Sequence, residues 1–158
     1  MSQRSDKVEK DVNASTSNKL LVICVDRDND IGEKAGIITP VIGRDACIDA
    51  AQRLALEDPE DADSNSMFSA IKTYEDLISK GYQVEVVIVA GIKERGVQAD
   101  EKILMEIKKI LEVFSANGAV IVSDGENTSR IFFISIRIFS SACTPLSLIP
   151  DTITTSTW

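Results

Sequence analysis

Two continuous apolar runs rich in branched residues, three stretches of helical periodicity, and turns built from Gly and Asp at their ends together predict an α/β fold. The architecture expected is a three-layer Rossmann-like domain: a mostly parallel sheet with helices on both faces. Leu20 to Val25, LLVICV, has no polar residue, as in a strand covered on both sides, and is expected at the sheet centre. From Asp26 to Gly43 the chain is interrupted by Gly32, Gly36, Pro40 and Gly43, which predicts a long ordered loop. Ile48, Ala51, Leu54 and Ala55 recur at helical spacing between Arg44 and Glu57, and Asp58-Pro59 ends that helix.

The acidic stretch PEDADSNS reads as a turn before a second helix. Met67, Ala70, Ile71, Tyr74, Leu77 and Ile78 form its apolar stripe, and Lys80-Gly81 supplies its stop. Val84 to Ala90, VEVVIVA, is a second buried strand. A third helix follows on Ile103, Ile107, Ile110, Leu111 and Phe114, ended by Asn117-Gly118. Ala119 to Val122 is a short third strand and Ile131 to Phe139, IFFISIRIF, a fourth. Residues 1–18 are expected to be a disordered polar arm, 19–140 the single α/β domain, and 141–158 an irregular Ser/Thr-rich tail.

Composition narrows the chemistry. The 158 residues fit one domain, and 44 % hydrophobic with 27 % charged residues is globular usage. A mean hydropathy of +0.03 and the lack of a long apolar run predict no membrane span. The net charge of -8 would repel a polyanion, so nucleic acid is not an expected partner. The absence of histidine removes Ser-His and Cys-His catalysis and His-containing zinc sites. Cys24, Cys47 and Cys143 are odd in number and show no CxxC spacing, which fits a reducing, cytoplasmic setting. Cys24 on a strand and Cys47 on a helix read as small apolar residues, not nucleophiles.

In sheets of this kind ligands sit beyond the carboxyl ends of the strands. That rule brings Asp26, Asp28 and Asp30 to one rim with Asp124 and Glu126, a carboxylate set suited to Mg²⁺. The bland alternative is that these short acids stop a strand, cap a turn and face solvent. An EF-hand starting at Asp26 is excluded, because Ile31 stands where glycine is required and Ile37 where glutamate is required. Arg27, Lys34, Thr39, Gly43 and Arg44 offer positive charge and backbone donors for a small phosphorylated ligand near the first long helix. Without a Walker pattern or GxGxxG, the plainer reading is that the glycines serve turns.

The segments VDRDNDIG, TPVIGR and LEDPEDADSN, followed by GVQADEKI and VIVSDGE, closely resemble DUF373, an archaeal domain-of-unknown-function family, from about Leu20 to Glu126. The resemblance implies no activity and no catalytic residues; longer members are described as predicted membrane proteins with a part like this one at their amino end. Beyond Asn127-Thr128-Ser129 the sequence departs from the family pattern, as if truncated or frame-shifted. An apolar strand ending in Asp-x-Asp also resembles the first motif of haloacid dehalogenase phosphatases. Asp26 and Asp28 would take its two acidic places, but Asp30 replaces that family's threonine or valine.

The reading that follows is a non-catalytic ligand-binding or regulatory domain with an acidic, cation-binding rim. The alternatives are a Mg²⁺-dependent phosphatase or nucleotide-handling enzyme using Asp26 and Asp28, and a purely structural assembly module. Ile131 to Phe139 would be an exposed apolar edge strand, and a homodimer is expected to cover it.

Overall fold

The computed structural model describes residues 19–123 and, for the backbone alone, the strand at 130–135. The expected arm at 1–18 and tail at 141–158, together with Asp124, Glu126 and Cys143, lie outside the described residues. The elements run β1 (Lys19–Asp26), α1 (Asp30–Ala35), β2 (Val41–Ile42), α2 (Arg44–Glu57), α3 (Ala62–Ser79), β3 (Gln83–Ala90), α4 (Val97–Val113), β4 (Gly118–Ser123) and β5 (Arg130–Ser135).

The five strands form one sheet in the order β2-β3-β1-β4-β5, with the LLVICV strand at its centre as its composition requires. β1 pairs in parallel with both β3 and β4. β2 pairs antiparallel with β3, and β5 antiparallel with β4. The class is therefore α/β, and the sheet is mixed: its three central strands are parallel and both edge strands antiparallel. At β5 connection length decides the direction: the few residues between β4 and β5 suffice for a reversal but not for a parallel crossover.

Successive β1 residues point to opposite faces. Leu20, Val22 and Cys24 share a core with Val86, Ile88, Val120 and Val122, covered by Ile31 of α1, Cys47, Ala51 and Leu54 of α2, and Met67, Ala70 and Ile71 of α3. Leu21 and Ile23 join Val87, Val89 and Ala119 in a second cluster, covered by Ile103 and Ile110 of α4. The three expected helices are present, each starting ahead of its apolar stripe.

Two expectations are corrected. Asp26 to Gly43 is not one irregular loop. It contains α1, which Gly36 ends at φ 65 with its N–H on Gly32 O, and the two-residue strand β2. The PEDADSNS stretch is a turn only at its start. Asp61 is the N-cap of α3, its side chain accepting from the Asp63 N–H, so the helix begins at Ala62.

Candidate cation site at the carboxyl rim

The chain runs from β1 to β3 over one face of the sheet and returns from β3 past β1 to β4 over the other, so the connections part between the carboxyl ends of β1 and β4; Asp26, at the end of β1, lies beside that point and against the end of β3. A crevice beyond neighbouring strand ends of this kind is where open α/β sheets receive ligands. The ends of β1 and β3 are stitched together. The Gly91 N–H donates to Asp26 O at 2.8 Å, and a Cβ on Gly91 would lie 2.2 Å from Arg27 O and 2.8 Å from Ala99 Cβ. No side chain fits there, which is why glycine stands after β3. Ion pairs Arg27–Asp100, Asp28–Arg95 and Glu33–Lys93 then tie the loop after β1 and helix α1 to the loop after β3 and the first turn of α4.

Asp26 closes β1 and is fully buried. Its Oδ1 accepts the Asp30 N–H at 3.2 Å and its Oδ2 the Ile31 N–H at 2.8 Å, so it caps the first turn of α1 across the left-handed Asn29. The plain capping role is thus real, but the carboxylate does not face solvent. Burial pushes its pKa from an ordinary 3.8 up to about 6; the two N–H donors oppose the rise, and the charges of Asp28 and Asp30 add to it. Burial also pushes the Asp28 carboxyl up, but the hydrogen bond and charge of Arg95 outweigh it and hold the group below its usual range.

Carboxylate oxygens of Asp26, Asp28 and Asp63 all lie within 4.8 Å of one another, and so do those of Asp30, Asp61 and Asp63. The three aspartates that follow β1 therefore do meet other acids at the rim. The partners found among the described residues come from the N-terminus of α3. Asp61 and Asp63 are both buried, in a segment that its sequence alone marks only as a turn. A second Asp-x-Asp at 61 and 63, matching that at 26 and 28, was the available signal.

The five candidate phosphate ligands do not converge. Arg27 pairs with Asp100, Lys34 with Asp30, Asp58 and Asp61, and Arg44 with Glu75. Thr39 donates to Glu106 Oε1 at 2.9 Å and accepts from Lys102 Nζ at 3.0 Å. The Gly43 N–H donates to Val86 O. Because β2 folds back against β3, Gly43 and Arg44 lie level with Val86, roughly 13 Å down the strand from Ala90 at the rim.

Glu106 is another group missed in the sequence. It falls on the stripe of Ile103 and Ile110, is buried, and takes the Lys102 ammonium and the Ala90 N–H. Lys102 places its remaining donors on Thr39 and Ala90 O, so this network locks the loop before β2 to α4. Cys47 is buried, and burial pushes its thiol up to about 12, consistent with an apolar role.

Fold and rim together define an α/β domain with interleaved aspartates and lysines at the carboxyl edge of its central strands. The chain belongs to the family described as Domain of unknown function (DUF373), which matches residues 19–137. It is 45 % identical to an uncharacterized protein of Archaeoglobus fulgidus over 121 residues, 76 % of this chain and 35 % of that protein. It is 36 % identical to an uncharacterized protein of Methanocaldococcus jannaschii over 115 residues, 70 % of this chain and 31 % of that protein. The chain thus spans about a third of the length of these relatives. No solved structure matches. Among the described residues no helix is long and apolar enough to cross a membrane.

Proposed function

We propose that this domain is a non-catalytic binding module that holds one Mg²⁺-type cation through Asp26, Asp28 and Asp63. The observation that carries the reading is the convergence of three carboxylates, two of them buried, at the carboxyl end of the central strand. Buried like charges repel, and either protons or a hard divalent ion relieves that repulsion; Mg²⁺ prefers oxygen ligands and keeps some of its water. The half-buried Asp28 leaves a side on which water or a ligand oxygen completes the shell. The finer fold reading, a Rossmann-like three-layer arrangement, agrees with a ligand at this crevice. That Cys24 and Cys47 are not joined in a disulfide agrees with a cytoplasmic setting.

The phosphatase alternative needs Asp26 as a nucleophile. Its burial and the occupation of both its oxygens by backbone N–H groups favour a supporting role for it instead. Thermal unfolding with added Mg²⁺ or Mn²⁺ tests the proposal. The unaltered chain is expected to gain about 2.7 kcal/mol at a hundredfold excess over Kd, and the Asp28→Asn/Asp63→Asn variant to gain nothing. A full metal response in the double variant, or none in the parent, overturns it. Turnover of a generic phosphoester that depends on Asp26 would select the enzyme.

A further inference from the structure

On the face of the sheet formed by Leu21, Ile23, Val87 and Val89, α4 is the covering helix among the described residues. Its Ala99, Ile103, Glu106 and Ile110 are buried against the strands. Val97, Glu101, Leu104, Met105, Lys108 and Glu112 recur at helical spacing along the opposite side, and all six are exposed. A helix at a finished surface presents mainly polar residues outward, yet Val97 is 73 %, Leu104 65 % and Met105 59 % exposed. Leu104 and Met105 stand at the middle of the helix, with Glu101 one turn before them and Lys108 one turn after. Among the described residues neither Glu101 nor Lys108 enters an ion pair, whereas Lys102 and Glu106 on the inner flank pair with each other.

We infer that this face is a contact with a second copy of the chain, two α4 helices packing antiparallel about a two-fold axis that passes between Leu104 and Met105. Turning the helix end for end about that axis sets Leu104 against Met105 of the second copy and Glu101 against its Lys108, and symmetry makes each contact twice. A parallel pairing in register would oppose Glu101 to Glu101 and Lys108 to Lys108. The interleaved signs also select the occupant. An anionic lipid surface would attract Lys108 and Lys109 but repel Glu101 and Glu112, in a chain of net charge -8. A second copy satisfies both signs at once, and the opposed helix dipoles favour the same arrangement. Few apolar side chains meet, so the association belongs to the small, transient class of interface. It is separate from the edge strand β5, because α4 lies over the sheet and not beside it.

Sedimentation equilibrium of the full chain from micromolar to millimolar concentration tests this, with circular dichroism to establish that each variant is folded. The parent is expected to associate reversibly. Leu104→Asn is expected to remove that step. Glu101→Lys and Lys108→Glu each replace two attractions by two repulsions and are each expected to weaken it about tenfold, while the double variant Glu101→Lys/Lys108→Glu regains the parental affinity. General repulsion between acidic chains predicts otherwise, since Glu101→Lys lowers the negative charge and would then strengthen association. If the edge strand also pairs, the single variants fall only to the mass of the edge-paired dimer, which supports the inference. A Leu104→Asn or Glu101→Lys chain that associates as well as the parent overturns it, as does a double variant no tighter than the single ones. A parent that stays monomeric to millimolar concentration also overturns it, and leaves the face to the further residues that the longer relatives carry. Should Glu101→Lys not fold, Leu104→Asn and Lys108→Glu decide: weakening in both supports the inference, and parental affinity in either overturns it.

Discussion

The Asp26 carboxyl makes folding stability depend on pH in a window where few other groups titrate. Its pKa stands near 6 in the fold against an ordinary 3.8, because burial disfavours the anion. The protonated acid is therefore favoured in the folded state. Its contribution is fully present below the ordinary value and is lost as pH rises through about 6. For this group, which has no solvent exposure, the whole rise corresponds to about 3 kcal/mol. About half of it is already lost at pH 5, so with a urea slope of about 1–3 kcal/mol/M the unfolding midpoint in EDTA is expected to fall by about 0.5–1.5 M between pH 5 and pH 8. Urea unfolding followed by circular dichroism measures it. Asp26→Asn is expected to flatten the profile, although its amide cannot serve both N–H donors, so the variant is less stable at pH 5. A divalent ion competes with the proton at this carboxylate, so added Mg²⁺ is expected to restore most of the lost stability at pH 8 and little at pH 5. A midpoint in EDTA that stays level from pH 5 to 8, or that falls equally in Asp26→Asn, refutes the reasoning.

Gly91→Ala forces a methyl group against the Arg27 carbonyl and the Ala99 side chain, and is expected to cost about 1–3 kcal/mol in urea unfolding; a cost near zero would mean the two strand ends are not pressed together. Met67→Ala opens the fully buried core under the sheet, with an expected loss of about 2–5 kcal/mol in the same assay and no change in metal affinity. Thr39→Val leaves the Glu106 and Lys102 groups each short of one hydrogen bond, an expected loss of about 1–3 kcal/mol. β5 takes the sheet edge with an apolar sequence, so light scattering is expected to give the mass of a homodimer, and a monomer mass at micromolar concentration rejects that pairing.

The parts of this fold that were legible in the sequence are those governed by local period. The apolar runs at β1 and β3 and the stripes on α2, α3 and α4 announce themselves because burial on one or both faces leaves a repeating pattern. α1 was hidden because six residues hold fewer than two turns, and Gly32 and Gly36 read as loop punctuation. β2 was hidden because two residues show no alternation. The antiparallel edges depend on connection geometry that composition does not encode. At the site, Asp26 and Asp28 were legible as acids after a buried strand. Asp61 and Asp63 were not, because nothing local says that the N-terminus of α3 returns to the end of β1 over a long stretch of chain. The candidate anion ligands dispersed for a similar reason: β2 carries Gly43 and Arg44 back along β3, and nearby carboxylates take up Arg27, Lys34 and Arg44.

Anomalous scattering from crystals grown with Mn²⁺ tests most directly where a divalent ion sits. One strong anomalous peak is expected, bounded by carboxylate oxygens of Asp26, Asp28 and Asp63, at about 2.0–2.3 Å from its ligands, with the Lys34 ammonium still seated among Asp30, Asp58 and Asp61. No peak there at saturating Mn²⁺, or a peak only between Asp30 and Asp61 with Lys34 displaced, would contradict it.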